Sequence, residues 1–243
     1  PSLALPALFT TQYAQAKLWQ SWGIEPNAMI GHSMGEYTAA HLAGVFSLAD
    51  ALTLVELRGR LFETLPEGAM LSVPLPEAEL LPLLPADLSI GVINGPRMCV
   101  ASGPVASIEA LQARLAEMEI DAARVRINVA AHSPMLEPIL AEFHAFLRGI
   151  TMRAPTIAVI SNFSGEPITA AEATSPDYWV RHLRHTVRFA DGLQDLLADE
   201  SRALLEVGPG RTLSSLARNH PARKMTQPIV TSMRHPDEVI DDQ

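Results

Sequence analysis

Cysteine is nearly absent from these 243 residues: Cys99 stands alone, which excludes an internal disulfide and a cysteine-ligated zinc site and fits a reducing, cytoplasmic setting. Positive charge is also scarce. Lys and Arg number 18 against 27 Asp and Glu, a formal charge of −9 with no basic cluster to grip phosphates, so nucleic acid is not an expected partner. There is no apolar run of bilayer-spanning length, no signal peptide, no internal repeat and no low-complexity stretch, so no membrane association is expected either. A starting methionine is missing: the chain opens on Pro1 and runs straight into a helical pattern, which reads as a piece of something larger. What is present is 48% apolar, enough for one large domain, or a domain with an inserted subdomain, around a substantial core.

The chain is organised around Met29-Ile30-Gly31-His32-Ser33-Met34-Gly35, two apolar residues leading through a sharp turn into the helical pattern that begins Glu36-Tyr37. This is a nucleophile elbow. Its glycines let the incoming strand and outgoing helix approach, and it holds Ser33 in a strained conformation with the hydroxyl exposed. The helix start also points free N–H groups at any oxyanion formed on the serine's substrate. The plainer reading of Ser33 is a small residue in a turn; the strand and helix on either side favour the nucleophile.

Taken in order, a helix is expected over 6–22, a strand over 28–30, and a helix from the elbow to about 44. Ser47 and Asp50 form a capping-box-like start to a helix that carries Arg58 and ends near Leu65. The pattern then becomes strand 69–73, helix 77–84, strand 88–93, a turn at Asn94-Gly95-Pro96, strand 98–102, a helix around 108–118 and an alternating strand at Val125, Ile127 and Val129. Strand, helix, strand, strand, helix, strand is the ferredoxin-like order. The fold class is therefore α/β, a hydrolase-like parallel-sheet large subdomain (1–67 and 131–243) with an inserted ferredoxin-like small subdomain (68–130). The chain re-enters the large body at His132, just before Ser133 and Pro134 start a helix to Leu147. Later elements are a strand at 157–161, helices at 178–183 and 189–197, strand 203–207, a Gly208-Pro209-Gly210 turn, a helix to about 219, strand 229–231 and a polar acidic tail.

Six motifs in order, the elbow, Arg58-Gly59-Arg60, Asn94-Gly95-Pro96, His132-Ser133, Ser161-Asn162 and Glu206-Val207-Gly208-Pro209-Gly210, resemble the malonyl-CoA:acyl-carrier-protein transacylase family. The chain is most similar to acyltransferase domains of modular type I polyketide synthases, over nearly its whole length. The resemblance implies that Ser33 attacks an extender-unit coenzyme A thioester and passes the acyl group to the phosphopantetheine of an acyl carrier protein. His132 matches the family's catalytic histidine, oriented by a backbone carbonyl near His182, so that no aspartate is required. Arg58 matches the arginine that holds the extender's free carboxylate, Met34 supplies an oxyanion N–H, and His32 packs or hydrogen-bonds nearby as a secondary contributor. Arg60 reads as a surface arginine. No metal or resident cofactor is implied, since acyl-CoA is a substrate, and a neighbouring ketosynthase and linkers of a megasynthase are the implied partners.

Two departures stand out. The family's N-terminal Phe-Pro-Gly-Gln-Gly segment, which supplies an opening strand and a glutamine near the oxyanion hole, does not occur in this sequence. The segment ending at the histidine is Val129-Ala130-Ala131-His132, where malonyl-selective members carry His-Ala-Phe-His and methylmalonyl-selective ones Tyr-Ala-Ser-His. The small Ala131 predicts that methylmalonyl is accepted, with malonyl as the alternative extender. Two rival readings remain. One is an α/β-hydrolase esterase or thioesterase with His220 or His235 as base, against which the inserted subdomain and Arg58 argue. The other is a non-catalytic docking fragment.

Overall fold

The computed structural model describes residues 1–234, so the acidic tail and His235 lie outside the described residues. Helix α1 (Ala4–Ser21) begins two residues before the expected start and stops where Gly23 takes a left-handed φ of 83°. Strand β1 (Ala28–Ile30), helix α2 (Gly35–Leu42) and helix α3 (Leu48–Glu63) follow as the pattern predicts. Ser47 caps α3, its Oγ accepting the Asp50 N–H at 3.0 Å.

The four strands between 68 and 124 form an antiparallel sheet. They are β2 (Gly68–Val73), β3 (Ser89–Gly95), β4 (Met98–Pro104) and β5 (Ala123–Arg124), in spatial order β3-β4-β2-β5. Helices α4 (Glu77–Leu80) and α5 (Val105–Glu117) complete the ferredoxin-like unit, whose core is Leu71, Ile108, Leu115 and their neighbours. Two local readings need correction. The helix expected over 77–84 breaks after Leu80 into a tighter Leu81–Leu83 turn, because Pro82 has no N–H to continue the α ladder. The alternating 125–129 segment is not a strand: its Val125 and Ile127 side chains are 38% and 41% exposed, with no sheet face to bury them, and the Ile127 N–H turns back to the Val125 carbonyl. Only the Val125 N–H, on the Met70 carbonyl, and the Asn128 carbonyl, on the Gly68 N–H, stay bonded to β2.

The chain then builds helix α6 (Glu137–Leu147), entered through a 3₁₀ turn at Pro134–Leu136, and strand β6 (Ala158–Ile160), which pairs in parallel with β1. Helices α7 (Ala170–Ala173), α8 (Pro176–Arg184) and α9 (Phe189–Leu197) follow, then β7 (Leu204–Glu206), α10 (Thr212–Asn219) and β8 (Ile229–Thr231), with β7 and β8 parallel. The large core packs Phe9, Tyr37, Leu54, Phe143 and Trp179 without exposure, each such side chain contributing about 1.5–3 kcal/mol by leaving water. A cavity of about 990 Å³ lies between β1 and β7, lined by Leu8, Met29, Ile30, Leu204 and Leu213.

The two units are joined by more than packing. After α8 the chain lies along β3: the Val187 N–H donates to the Gly91 carbonyl at 2.9 Å and the Ile93 N–H to the Val187 carbonyl at 2.8 Å. Met70, Val92, Val100, Ala131, Val187 and Phe189 form the apolar seam beside that strip. Among the described residues no helix is long and apolar enough to cross a membrane, and no cluster of His, Cys, Asp and Glu has the arrangement of a metal site.

Candidate active site

The turn between β1 and α2 places Ser33 at a φ of 51°, a left-handed conformation that side-chain-bearing residues rarely adopt. Gly31 makes this turn possible, since a Cβ there would sit 2.0 Å from the Glu36 nitrogen. Gly35 plays no such part: a Cβ there would meet nothing nearer than the Gln12 side chain at 4.0 Å, so the expectation that both glycines relieve crowding holds only for the first. Gly31→Ala is therefore expected to lower stability by more than about 3 kcal/mol, as overpacking against rigid backbone does, while Gly35→Ala leaves the melting temperature unchanged or raised.

The Ser33 Oγ lies 2.7 Å from His132 Nε2. On the far side of the ring, His132 Nδ1 lies 2.9 Å from the His185 carbonyl, one turn beyond the His182 region expected to supply it. A carbonyl only accepts, so Nδ1 carries the proton and Nε2 is left with a lone pair facing the serine hydroxyl. His132 is itself held at a φ of 58°, and Ser133 braces the following turn by accepting the Met135 N–H and donating to the Ala130 carbonyl. Burial, then the nearby Arg58 and His32, hold the His132 pKa down at about 3.

Arg58, on α3, donates from Nη2 to the same Ser33 Oγ at 2.8 Å. The guanidinium is 2% exposed and packs over the Tyr37 and Phe62 rings. Its Nε and Nη1 are buried without hydrogen-bond partners, and no carboxylate pairs with it among the described residues. Burial pulls its pKa down from the ordinary value, yet arginine starts high enough to keep its charge at neutral pH. Donors arranged in this way are able to pair with a planar anion such as a carboxylate.

His32 turns away from Ser33. Its Nε2 lies 2.8 Å from Asn94 Oδ1 at the end of β3, and its ring meets Phe189, so it ties the elbow to the small sheet. The N–H groups of Ser33, Gly35, Glu36 and Tyr37 are all taken up, by the Asn162 side chain and by the carbonyls of His32, Ser33 and Met34. The Met34 N–H makes no such bond among the described residues. Val129 and Ala131 are buried on opposite sides of the strip leading to His132, Val129 in the large core and Ala131 in the seam beside Met70 and Phe189. His220, the rival base, sits at the end of α10, with Nδ1 accepting the Ala222 N–H.

The profile of a family described as "Acyl transferase domain" matches residues 2–233. The chain belongs to that family. It is 41% identical over 98% of its length to a phenolphthiocerol/phthiocerol polyketide synthase protein of Mycobacterium tuberculosis, and 40% identical over 94% to the polyketide synthase GfsA of Streptomyces halstedii. It spans only 16% and 3% of those proteins. Among solved structures, the acyl transferase domain of SpnD, in complex with 2-(pent-4-yn-1-yl)malonyl, superposes with a TM-score of 0.90 at 42% identity, covering 96% of this chain and 57% of that one. FabD from Acinetobacter baumannii gives 0.87 at 28%, covering 95% and 76%. The hydrolase-like large subdomain with a ferredoxin-like small one is the fold of these acyl transferases, and the hydrolase reading with His220 as base falls away.

The partners of several residues of this candidate site escape a reading by sequence. Glu36 has no exposed surface; its carboxyl accepts from the Asn162 N–H and from the Tyr178 hydroxyl, and Tyr178 also meets Ser161. A glutamate in the first turn of a helix ordinarily serves the helix dipole at the surface. The position of Ser161-Asn162, just past the end of a parallel strand, was the available signal, since α/β sheets place their sites there.

Burial pushes the Glu36 pKa up to about 8 from an ordinary 4.5. The folded chain therefore keeps a proton that the unfolded chain loses above 4.5, and stability falls as pH rises towards 8. Buried His132 has the opposite sign, holding no proton where the unfolded imidazole takes one below 6.5, so its effect is confined to lower pH. Between about pH 6.5 and about 8 the melting temperature is expected to fall with pH, and Glu36→Gln is expected to flatten that slope.

Proposed function

We propose that this chain moves a carboxylated acyl group, an extender unit, from coenzyme A to the phosphopantetheine thiol of an acyl carrier protein through an ester on Ser33, in polyketide or polyketide-lipid assembly. The observation that carries the reading is the convergence on one oxygen: Ser33 Oγ has an unprotonated imidazole nitrogen at 2.7 Å and a buried guanidinium with two unpaired donors at 2.8 Å. His132 takes the hydroxyl proton as Oγ adds to the thioester carbonyl. The oxyanion faces the start of α2, where the Met34 N–H is the open donor. Collapse expels the coenzyme A thiolate, which recovers the proton from His132. The carrier's thiol then repeats the sequence in reverse. Arg58 leaves Oγ to fork onto the extender's free carboxylate, which fixes the substrate class. The reading needs no metal or resident cofactor, and its partners are the carrier protein and an adjoining ketosynthase with its linkers, in the cytoplasm.

Methylmalonyl is the extender that Ala131 favours, with malonyl also accepted. The C2-substituted malonyl seated in the related SpnD domain supports room at that carbon. One methyl in a pocket is worth about 1–3 kcal/mol, so discrimination between the two is modest. Intact mass after incubation with a panel of acyl-CoA esters is expected to show methylmalonyl and malonyl, and no acetyl, on Ser33. Ala131→Phe should shift the balance towards malonyl by on the order of 10-fold or more. Malonyl alone on the unaltered protein would overturn the choice of extender, and no adduct from any ester would overturn the transfer reading.

A further inference from the structure

We propose that Asn162 is the positioning residue of the nucleophile, its side-chain amide bridging the two ends of the elbow and holding Ser33 in the conformation that aims Oγ between His132 and Arg58. Oδ1 accepts the Ser33 N–H at 2.7 Å, and Nδ2 donates to the Gly31 carbonyl at 2.7 Å. The amide fits in one orientation only, because turning it over would set donor against donor and acceptor against acceptor. Its own backbone is fixed as well: the N–H donates to Glu36 Oε2 at 2.6 Å and the carbonyl accepts the Arg188 N–H at 2.7 Å. Asn162 is 1% exposed, and all four of its polar groups are engaged.

Ser33 occupies a left-handed conformation, which persists only where its surroundings impose it. Gly31 leaves room for the turn and supplies no force towards it. The amide supplies that force. Without it the part-buried Ser33 N–H and the buried Gly31 carbonyl both lose their partner, and the turn relaxes towards an ordinary φ. Oγ then moves off the line to His132 Nε2, and a displacement of about 1 Å is enough to cost on the order of 10²-fold in rate. Glu36 supports the bridge from beneath, its other oxygen bonded to Tyr178.

This proposal rests on Ser33 being the acyl acceptor, so its test uses two reagents. A fluorophosphonate reports the reactivity of Ser33 whatever the acyl donor, and methylmalonyl-CoA reports transfer. Asn162→Ala is expected to slow both by on the order of 10²-fold while KM for methylmalonyl-CoA stays close to that of the unaltered protein. Asn162→Asp keeps the acceptor for the Ser33 N–H but opposes the Gly31 carbonyl with a second oxygen until that oxygen is protonated. Burial at this depth, beside Glu36, holds an aspartate here protonated well above its ordinary range, so its labelling rate, taken relative to the unaltered protein that carries the same Glu36, should rise as pH is lowered from about 8.5 to about 6. A merely structural role does not predict that trend. If Asn162→Ala does not fold, the pH trend of Asn162→Asp decides the matter. Labelling at the unaltered rate in Asn162→Ala, or a ratio for Asn162→Asp that is flat with pH, overturns the proposal. Labelling without methylmalonyl transfer in the unaltered protein overturns the transfer reading and leaves Asn162 judged by the labelling ratios. A Ser33 that reacts with neither reagent overturns both.

Discussion

Replacing His132 by alanine is expected to slow acylation of Ser33 by about 10²–10⁴-fold, the range for loss of a positioned general base. The serine hydroxyl is a weak nucleophile, and His132 Nε2 at 2.7 Å is the one lone pair that the structure sets against it. The same arrangement fixes the pH profile. With its pKa held near 3, the imidazole is unprotonated from about pH 8 down to about pH 5, so the acylation rate should stay level across that range. Quenched-flow mass measurement of the acyl-enzyme across that range is the check. A rate that falls away around pH 6.5 would show that the base titrates like a free histidine.

Removing Arg58 is expected to alter what is transferred more than whether transfer happens. Arg58→Ala should lower acylation by malonyl and methylmalonyl on the order of 10⁴-fold relative to acetyl or propionyl, because a site built to bond a charged group rejects analogues strongly and loses that discrimination with the group. Burial sharpens the effect. In the unaltered protein a simple acyl chain leaves the buried guanidinium short of partners, whereas a carboxylate forks onto Nη2 together with either Nε or Nη1. Arg58→Lys is expected to behave more like the alanine variant than like arginine, since one ammonium cannot reproduce the planar fork. Competition between malonyl-CoA and acetyl-CoA, read as the mass of the Ser33 adduct, measures the change. An unchanged preference would remove Arg58 from substrate selection.

Much of the fold was legible in the sequence because its signals are local. The elbow shows in seven residues, and the ferredoxin-like unit shows in a run of apolar periodicities that each element declares for itself. What was not legible depends on partners far along the chain. Glu36 is buried because Tyr178, 142 residues later, brings a hydroxyl to it. Ser161-Asn162 stands out as a motif, but the task of Asn162 shows only when Gly31 and Ser33 are seen on either side of it. The 125–129 segment shows the converse failure: alternation was present, but no face waited to receive Val125 and Ile127. At Gly35 the motif outran its physical reason, for the space beside it is open.

The short run between α8 and α9 serves two masters. His185 offers its carbonyl to the imidazole of His132, and Val187, two positions further on, is stitched into the edge of the small sheet. The reactive machinery is thus clamped by a strap whose other end belongs to the neighbouring unit. The carbonyl that orients His132 is therefore set by a four-residue run that Val187 bonds to β3, so the small sheet, which carries no part of the Ser33–His132 pair, fixes where the imidazole stands.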